Sequence, residues 1–122
     1  MKRHNKALGA WGEEKAAEYL QRQGYAVCAR NFRWARGELD IIAERGELLV
    51  FVEVKTAGSE RMGPPETWVT RQKQAQIGQV ALRYLQTNEI ENRDCRFDVI
   101  GVIKSDDSFK ITHIENAFWL EQ

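Results

Sequence analysis

Two charged residues interrupt the most apolar segment of the chain. The run LLVFVEVK, residues 48–55, is typical of a buried strand, yet Glu53 and Lys55 lie two positions apart within it. Residues at that spacing project from the same face of a strand. Burying a carboxylate or an ammonium is costly unless each has a partner. The segment therefore predicts either a cross-strand ion pair on a half-exposed sheet or part of a site that uses charge.

A preceding strand brings further carboxylates to the same face. The segment ELDIIA lies before LLVFVEVK, and the polar turn ERGE joins them, which predicts a hairpin. If the turn closes symmetrically, Asp40 pairs with Phe51 and Glu38 with Glu53, and paired side chains share a face. Asp40, Glu38, Glu53 and Lys55 then lie on one surface, with Asp40 diagonal to Glu53. A register shift of one residue would break this arrangement.

Several carboxylates on one face repel one another, and one lysine does not balance them. A hard divalent cation such as Mg²⁺ (or Mn²⁺) is bound by a few carboxylates and waters and would complete the balance. Such an ion activates water and stabilises charge on a phosphate, while Lys55 could orient the nucleophile or neutralise the developing charge. A purely structural alternative treats the same charges as ion pairs.

Two helices offer one inward-leaning charge each. Helical spacing over residues 6–23 has Asn5 as a plausible N-cap and Gly24 as a stop. Glu13 lies at the edge of the apolar stripe of this helix. A second amphipathic helix over residues 67–86 has Lys73 within its stripe. Alternatively, Glu13 is a partly exposed edge residue and Lys73 snorkels from its helix end.

The full order of elements predicts an α/β fold in a single domain, residues 1–122. Further strands are expected at residues 25–32, 96–103 and 109–115, so the order is α-β-β-β-α-β-β. Alternation of this kind favours a mixed sheet flanked by helices. The loop between the third strand and the second helix carries glycine, serine and proline, as connecting loops do.

Composition limits the class of protein. The chain has 43% apolar residues and 18 basic against 18 acidic residues, so nucleic-acid binding would need a local basic patch. Cys28 and Cys95 are far apart in strand-like segments, which favours two buried free thiols in a reducing compartment. No segment has the length of a membrane span and no signal peptide is evident, so we expect a cytoplasmic protein.

The site residues and the element order together resemble the PD-(D/E)XK nuclease superfamily. Asp40 and the later Glu53-Val54-Lys55 match its motif, although Leu39 and not proline precedes Asp40. The order α-β-β-β-α-β matches the superfamily's core, with one strand added. More closely, the chain resembles the YraN-like proteins, which are described as predicted endonucleases related to Holliday junction resolvases. The matching segments are GEEKAAEYLQRQGYAVCARNFR, GELDIIA, LVFVEVKT, RFDVIGV and HIENAF.

This resemblance implies a restriction-endonuclease-like core and a Mg²⁺- or Mn²⁺-dependent endonuclease of DNA, with branched or otherwise structured DNA among the expected substrates. It implies that Asp40 and Glu53 bind the metal, with the Val54 carbonyl as a further ligand. Lys55 would be the catalytic lysine. Glu13 would assist metal or water positioning.

The same resemblance leaves a wider group of residues in supporting roles. Glu38 belongs to the matching text, Lys73 is a candidate for phosphate contact, and a homodimer is implied by analogy with resolvases. Near the site, Arg30, Arg33 and Arg36 alternate with aromatic residues and could bind DNA phosphates; the alternative is a solvated strand end. RNA is not excluded as a substrate. The alternative function is a non-catalytic module with this fold that binds DNA or recruits a partner.

Overall fold

Two helices and five strands follow the order that the sequence predicts. The computed structural model describes residues 2–58 and 63–118, with side chains from residue 6 onward. The elements are α1 (Lys2–Arg22), β1 (Ala26–Trp34), β2 (Gly37–Arg45), β3 (Leu48–Ala57), α2 (Arg71–Thr87), β4 (Asp94–Ser105) and β5 (Ser108–Ile114), with a short 3₁₀ turn at Pro65–Thr67. No helix in these two ranges combines the length and the apolarity that crossing a bilayer requires.

The strands form one mixed sheet in the order β1-β2-β3-β4-β5. Every neighbouring pair is antiparallel except β3 and β4. Parallel neighbours need a crossover, and α2 provides it. The predicted α/β fold with a mixed sheet and flanking helices is therefore confirmed.

Each face of the sheet packs against one helix. On the first face, Ala16 and Leu20 of α1 contact Ile41, Val52 and Ile100 of the sheet. On the second face, residues of α2 such as Ile77, Val80 and Tyr84 pack on Leu39, Phe51 and Val99. Because both faces are covered, β3 is apolar almost throughout, as central strands buried on two sides are.

The helix boundaries differ from the predicted ones at their N-termini. α1 already includes Asn5, so this residue is not an N-cap, whereas Gly24 ends the helix as expected with a φ of 92°. α2 begins at Arg71 and not near Thr67, because Thr70 has extended backbone and its side chain accepts a hydrogen bond from the Lys73 amide. This is the N-cap geometry that threonine favours.

The β2–β3 register differs from the predicted one by two residues. The observed pairs run from Arg45↔Leu48 to Ile41↔Val52, so Asp40 and Glu53 are next in line and Asp40 does not pair with Phe51. The turn contains two residues instead of four, because Gly46 adopts a φ of 60°, which two-residue hairpin turns require. A shift of two keeps every side chain on its face.

The alternation of faces breaks twice along the β1–β2 ladder, first at a bulge between Val27 and Ala29 and again nearer the turn. Arg30 reaches Glu14 of α1, yet Phe32, two residues later, packs on Tyr84 of α2. Asn31 between them has a φ of 53°. The partner strand changes face at the matching place, since Leu39 packs with the α2 cluster and Ile41 with the α1 cluster. We call this break, at Asn31 and Asp40, the kink.

Both cysteines lie on the surface, so the prediction that they are buried is wrong. Cys28 and Cys95 are free thiols with exposed side chains. Cys28 lies on β1, an edge strand of the sheet, and Cys95 lies at the exposed start of β4. Their strand-like surroundings indicated extended backbone correctly, but not which end or edge of the sheet they occupy.

A buried carboxylate links β4 to β5 on the face of the sheet that α1 covers. The side chain of Asp98 accepts two hydrogen bonds of 2.8 Å from Arg96 and contacts His113 Nε2 at 2.7 Å. His113 Nδ1 lies 3.0 Å from the Tyr19 hydroxyl of α1. Burial would raise the pKa of Asp98, but the hydrogen bonds from His113, from Arg96 and from the Asn116 amide outweigh it and lower that pKa.

We predict that Asp98→Ala destabilises the fold by about 3–5 kcal/mol, since it leaves buried donors without their acceptor. Asp94→Ala, an exposed change on the same strand, serves as the control and should cost under about 0.5 kcal/mol. Because the folded-state pKa of Asp98 is lowered, its contribution is present above about pH 4 and is lost as the pH falls through that lowered value. Urea unfolding at pH 7 and pH 3 measures both effects, and equal losses for the two variants at pH 7 would contradict the assignment.

Candidate metal site

Asp40 and Glu53 bring two carboxyl groups together in the interior. Their residues are only 8% and 5% exposed, and each carboxyl group affects the pKa of the other. β2 and β3 position them, since the two residues lie opposite each other at the position next to the Ile41↔Val52 pair. The structure thus unites the two residues that the sequence nominated as metal ligands.

Each carboxyl group has one fixed contact. Asp40 Oδ2 accepts a hydrogen bond of 2.7 Å from the Val54 amide, so its side chain replaces a strand–strand bond at the kink. Glu53 Oε2 lies 3.5 Å from Lys73 Nζ. Glu53 Oε1 is buried and has no hydrogen-bond partner among the described residues. A buried oxygen without a partner is unusual in a folded protein.

The shared position changes the acidity of both groups. Burial raises the pKa of Asp40 to about 8, and the neighbouring Glu53 charge adds to the rise, while the Val54 amide opposes it. Burial also raises the pKa of Glu53, although Lys73 and Lys55 lower it in part. The flanking lysines favour ionisation of Glu53, and the negative charge on Glu53 then opposes ionisation of Asp40 in the same low-dielectric site. The pair therefore holds a proton at neutral pH in the absence of a cation.

Two lysines flank the pair. Lys55 follows Glu53 on β3 and is half-buried, and its charge acts on Glu53; it forms no ion pair within residues 2–58 and 63–118. Lys73 lies at the first turn of α2, fixed by the Thr70 cap through its own amide. The sequence left Lys73 open between an inward position and snorkelling from its helix end, and the contact of its Nζ with Glu53 favours the inward position.

Helix α1 brings Glu13 toward the pair. At Gly12 the helix lies so close to β3 that an added Cβ would overlap the Thr56 side chain, so glycine permits this approach. Glu13 is half-buried, and its Oε1 accepts a hydrogen bond of 2.8 Å from Asn31 at the kink. Its charge raises the pKa of Asp40 as a smaller contribution. Glu13 thus influences Asp40 and is also hydrogen-bonded to Asn31 of β1.

Glu38 does not join the carboxyl pair. Its Oε2 lies 2.6 Å from Arg33 Nε across the β1–β2 ladder. The prediction that Glu38 shares the face of Asp40 and Glu53 is therefore wrong, because the kink at Asp40 interrupts the regular alternation on which it depended. Glu38 neutralises Arg33 instead.

The three arginines proposed for DNA binding differ in their contacts. Arg30 pairs with Glu14 at 3.0 Å and Arg33 pairs with Glu38. Arg36 is exposed at the β1–β2 turn and has no ion pair among the described residues. The side chains of Lys2 and Arg3, and residues 59–62 of the loop after Lys55, lie outside the described part of the chain.

Comparisons with known proteins place the chain in a family. A family model described as "Uncharacterised protein family UPF0102" matches residues 12–102. The chain belongs to the UPF0102 family. It is 47% identical to a UPF0102 protein of Geobacter metallireducens over 120 residues, which are 98% of each chain. It is 44% identical to a UPF0102 protein of Syntrophomonas wolfei over 114 residues, 93% of this chain and 99% of the relative.

A relative from Geobacter sulfurreducens gives a similar result. It is also named a UPF0102 protein and is 48% identical over 118 residues, 96% of this chain and 92% of its own. The matches therefore cover nearly the whole chain. The names of these relatives state membership of UPF0102 and no activity, so the chemistry must be argued from the site itself.

The residues of this UPF0102 protein fit a small divalent cation. Within residues 2–58 and 63–118 no three His, Cys, Asp or Glu side chains form a metal-binding group, so the pair would act without a third carboxylate. Mg²⁺ commonly uses one or two carboxylates and fills its other positions with water and phosphate oxygens. The free Glu53 Oε1 is available as a ligand. The Val54 carbonyl points to the Asp40 side with the Val54 amide, as in an extended strand.

Sequence reasoning missed two residues that shape the site. Asn31 holds the kink and bonds Glu13, and Thr70 fixes the start of α2 next to Glu53. Asparagine is several-fold enriched at positive φ, and threonine is a common N-cap. Either residue could have been proposed from its type, but many asparagines and threonines in a chain have neither role.

We predict that Asp40 lowers the stability of the metal-free protein as the pH rises from about 4 to about 8. The pKa of Asp40 is higher in the folded state than in the unfolded state, so the folded state keeps this proton to a higher pH. Between the two pKa values, the free energy of unfolding falls by at most ~1.4 kcal/mol per pH unit. Asp40→Asn should remove this slope.

The measurement is urea unfolding in EDTA between pH 4 and pH 8.5, compared as the difference between the variant and wild type. Glu44→Gln is the matched control, because Glu44 lies on the same strand and pairs with Arg93 at 2.9 Å. A pH-independent difference between Asp40→Asn and wild type would contradict the shared-proton description.

Proposed function

We propose that this UPF0102 protein is a divalent-metal-dependent endonuclease that hydrolyses phosphodiester bonds in DNA. The observation that carries the proposal is the buried Asp40–Glu53 pair with an unpartnered oxygen and two flanking lysines. Such a pair is costly in a protein that has no use for it. The resemblance of Asp40 and Glu53-Val54-Lys55 to the PD-(D/E)XK motif supports the same reading.

The carboxyl pair would hold Mg²⁺ or Mn²⁺ through Asp40, Glu53 and the Val54 carbonyl. When bound, the ion supplies a Lewis acid for the phosphate and lowers the pKa of a water ligand. Loss of the shared proton accompanies this binding, because ligands must be deprotonated. Asp40 keeps its orientation through the Val54 amide, so the ligand geometry is held by the strands themselves.

The lysines have separate tasks in this proposal. Lys55 is half-buried and close to Glu53, so it orients the attacking water or stabilises the charge that develops on the phosphate. Lys73 balances Glu53 at 3.5 Å and would also be available to contact a phosphate oxygen. Glu13, held by Asn31, would assist in positioning water beside the pair.

Metal binding provides the first test, which is independent of any substrate. Titration calorimetry with Mn²⁺ should show binding to wild type and none to Asp40→Asn, while Glu44→Gln should bind as wild type does. Lys73→Met should bind several-fold more tightly, because a positive charge beside the cation is removed. Wild type that binds no Mn²⁺ or Mg²⁺ would contradict the proposal and favour the structural alternative.

Cleavage provides the second test. Purified wild type should nick supercoiled plasmid in Mg²⁺ or Mn²⁺ and lose the activity in EDTA. Lys55→Ala should cut at least about 100-fold more slowly, the scale of losing a charge-stabilising group, while it still binds Mn²⁺. Lys104→Ala, an exposed lysine on β4, should cut at the wild-type rate.

The binding and cleavage tests also distinguish the enzyme from the alternative function, a non-catalytic module. DNA binding that persists in EDTA and in Lys55→Ala, with no cleavage of supercoiled, linear or branched DNA, would favour a non-catalytic module. Metal-dependent cleavage that Asp40→Asn abolishes without unfolding the protein would support the enzyme.

A further inference from the structure

A groove lies between the β1–β2 turn and α2, beside the proposed site. It has a volume of about 290 Å³. Its lining residues are Trp34, Ala35, Arg36, Gly37, Gln76, Gln79 and Val80. Trp34 remains 40% exposed at its rim, and Val80 closes its floor. An added Cβ at Gly37 would meet Val80 at 2.5 Å, so the turn lies directly against the helix.

The α2 wall of the groove carries no negative charge. The helix sequence RQKQAQIGQVALRYLQT contains three basic residues, five glutamines and no carboxylate, although the whole chain has 18 acidic residues. At 100° per residue, Gln76, Gln79 and Arg83 lie on one edge of α2 and Lys73 lies one turn nearer the carboxyl pair. Amide and cationic side chains thus line the path from Glu53 to the groove.

The turn side of the groove combines an aromatic ring with cations. The Arg83 guanidinium lies 5.7 Å from the centre of the Trp34 ring, and Arg36 is exposed on the turn. Glu38, the carboxylate nearest to this turn along β2, is neutralised by Arg33 at 2.6 Å. An exposed tryptophan with arginines, in a groove whose named lining residues include no carboxylate, is suited to stacking on a base while the arginines contact phosphates.

The groove lies at a short distance from the carboxyl pair. Gly37 precedes Asp40 by three residues of strand, or ~10 Å, and Arg83 follows Lys73 by ten residues of helix, or ~15 Å. These lengths correspond to no more than about four nucleotides, since each nucleotide advances ~3.4 Å along the axis of a duplex and further in an extended unpaired strand. A strand with a phosphate at Asp40 and Glu53 therefore reaches Trp34 within a few nucleotides.

We infer that this groove binds an unpaired DNA strand next to the scissile phosphate, with a base stacked on Trp34 and phosphates bound by Arg36 and Arg83. The inference rests on the proposed function and adds the substrate class. Bases inside a duplex are stacked on one another and offer no free ring face to Trp34, so the groove favours single strands, flaps and gaps over continuous duplex.

The test is fluorescence anisotropy in EDTA, which measures binding without cleavage. The probes are fluorescein-labelled oligo(dT) of twelve nucleotides, a blunt duplex of twelve base pairs, and oligo(rU) of the same length. Wild type should bind oligo(dT) more tightly than the duplex. Trp34→Ala should weaken oligo(dT) binding about 5- to 150-fold, the range of a lost base–aromatic stack, and Trp34→Phe should restore most of it.

Arg36→Ala and Arg83→Ala should weaken oligo(dT) binding and reduce its salt dependence. Arg22→Ala is the matched control, because Arg22 is an exposed arginine in the last turn of α1, which packs on the opposite face of the sheet. Its affinity should equal that of wild type. The arginine variants should unfold at the wild-type urea concentration, since these side chains are exposed, and Trp34→Phe keeps an aromatic ring where Trp34→Ala also removes packing.

Three results would overturn the inference: wild-type affinity in Trp34→Ala, equal affinity of wild type for the duplex and oligo(dT), or tighter binding of oligo(rU) than of oligo(dT). A failure of the groove leaves Mn²⁺ binding and plasmid nicking by Asp40 and Glu53 intact. A failure of the enzyme proposal would instead appear as absent Mn²⁺ binding, with the oligo(dT) result unchanged.

Discussion

The close burial of the Asp40 and Glu53 carboxyl groups is the constraint on which the rest of the site depends. Without a cation, the pair avoids two adjacent negative charges by retaining a proton, and burial raises the pKa of Asp40 to about 8. One oxygen of Glu53 is left without a partner in the described structure. The divalent ion that we propose would meet both constraints, since it would replace the proton and use the free oxygen.

Several parts of the fold hold this costly pair in place. The kink lets Asp40 bond the Val54 amide, and Asn31 at the same kink holds Glu13 of α1. Gly12 allows α1 to approach β3 closely enough for that contact. On the other face, the Thr70 cap fixes the first turn of α2. The Asp98 cluster takes no part in the proposed chemistry. It joins β4, β5 and α1 and so stabilises the scaffold on which these contacts depend.

The sequence predicted the elements well because hydrophobic periodicity follows burial, and this sheet is covered on both faces. It also placed Asp40 and Glu53 on one face, although the assumed register was wrong, because a shift of two residues preserves faces. The register itself depends on the positive φ of Gly46, and hydrophobic periodicity does not indicate the length of a turn. Glu38 was misplaced for a related reason. The kink at Asn31 and Asp40 interchanges the faces to which alternate side chains point, and one unusual backbone angle cannot be read from hydrophobic periodicity.

The most direct test of the central claim is the position of Mn²⁺ in a crystal, located by anomalous diffraction. The account predicts one strong peak between Asp40 and Glu53, at about 2.0–2.4 Å from an oxygen of each carboxylate, and no peak there in Asp40→Asn. Wild-type crystals that hold Mn²⁺ only elsewhere, or that show no anomalous peak between the two carboxyl groups at saturating Mn²⁺, would contradict it.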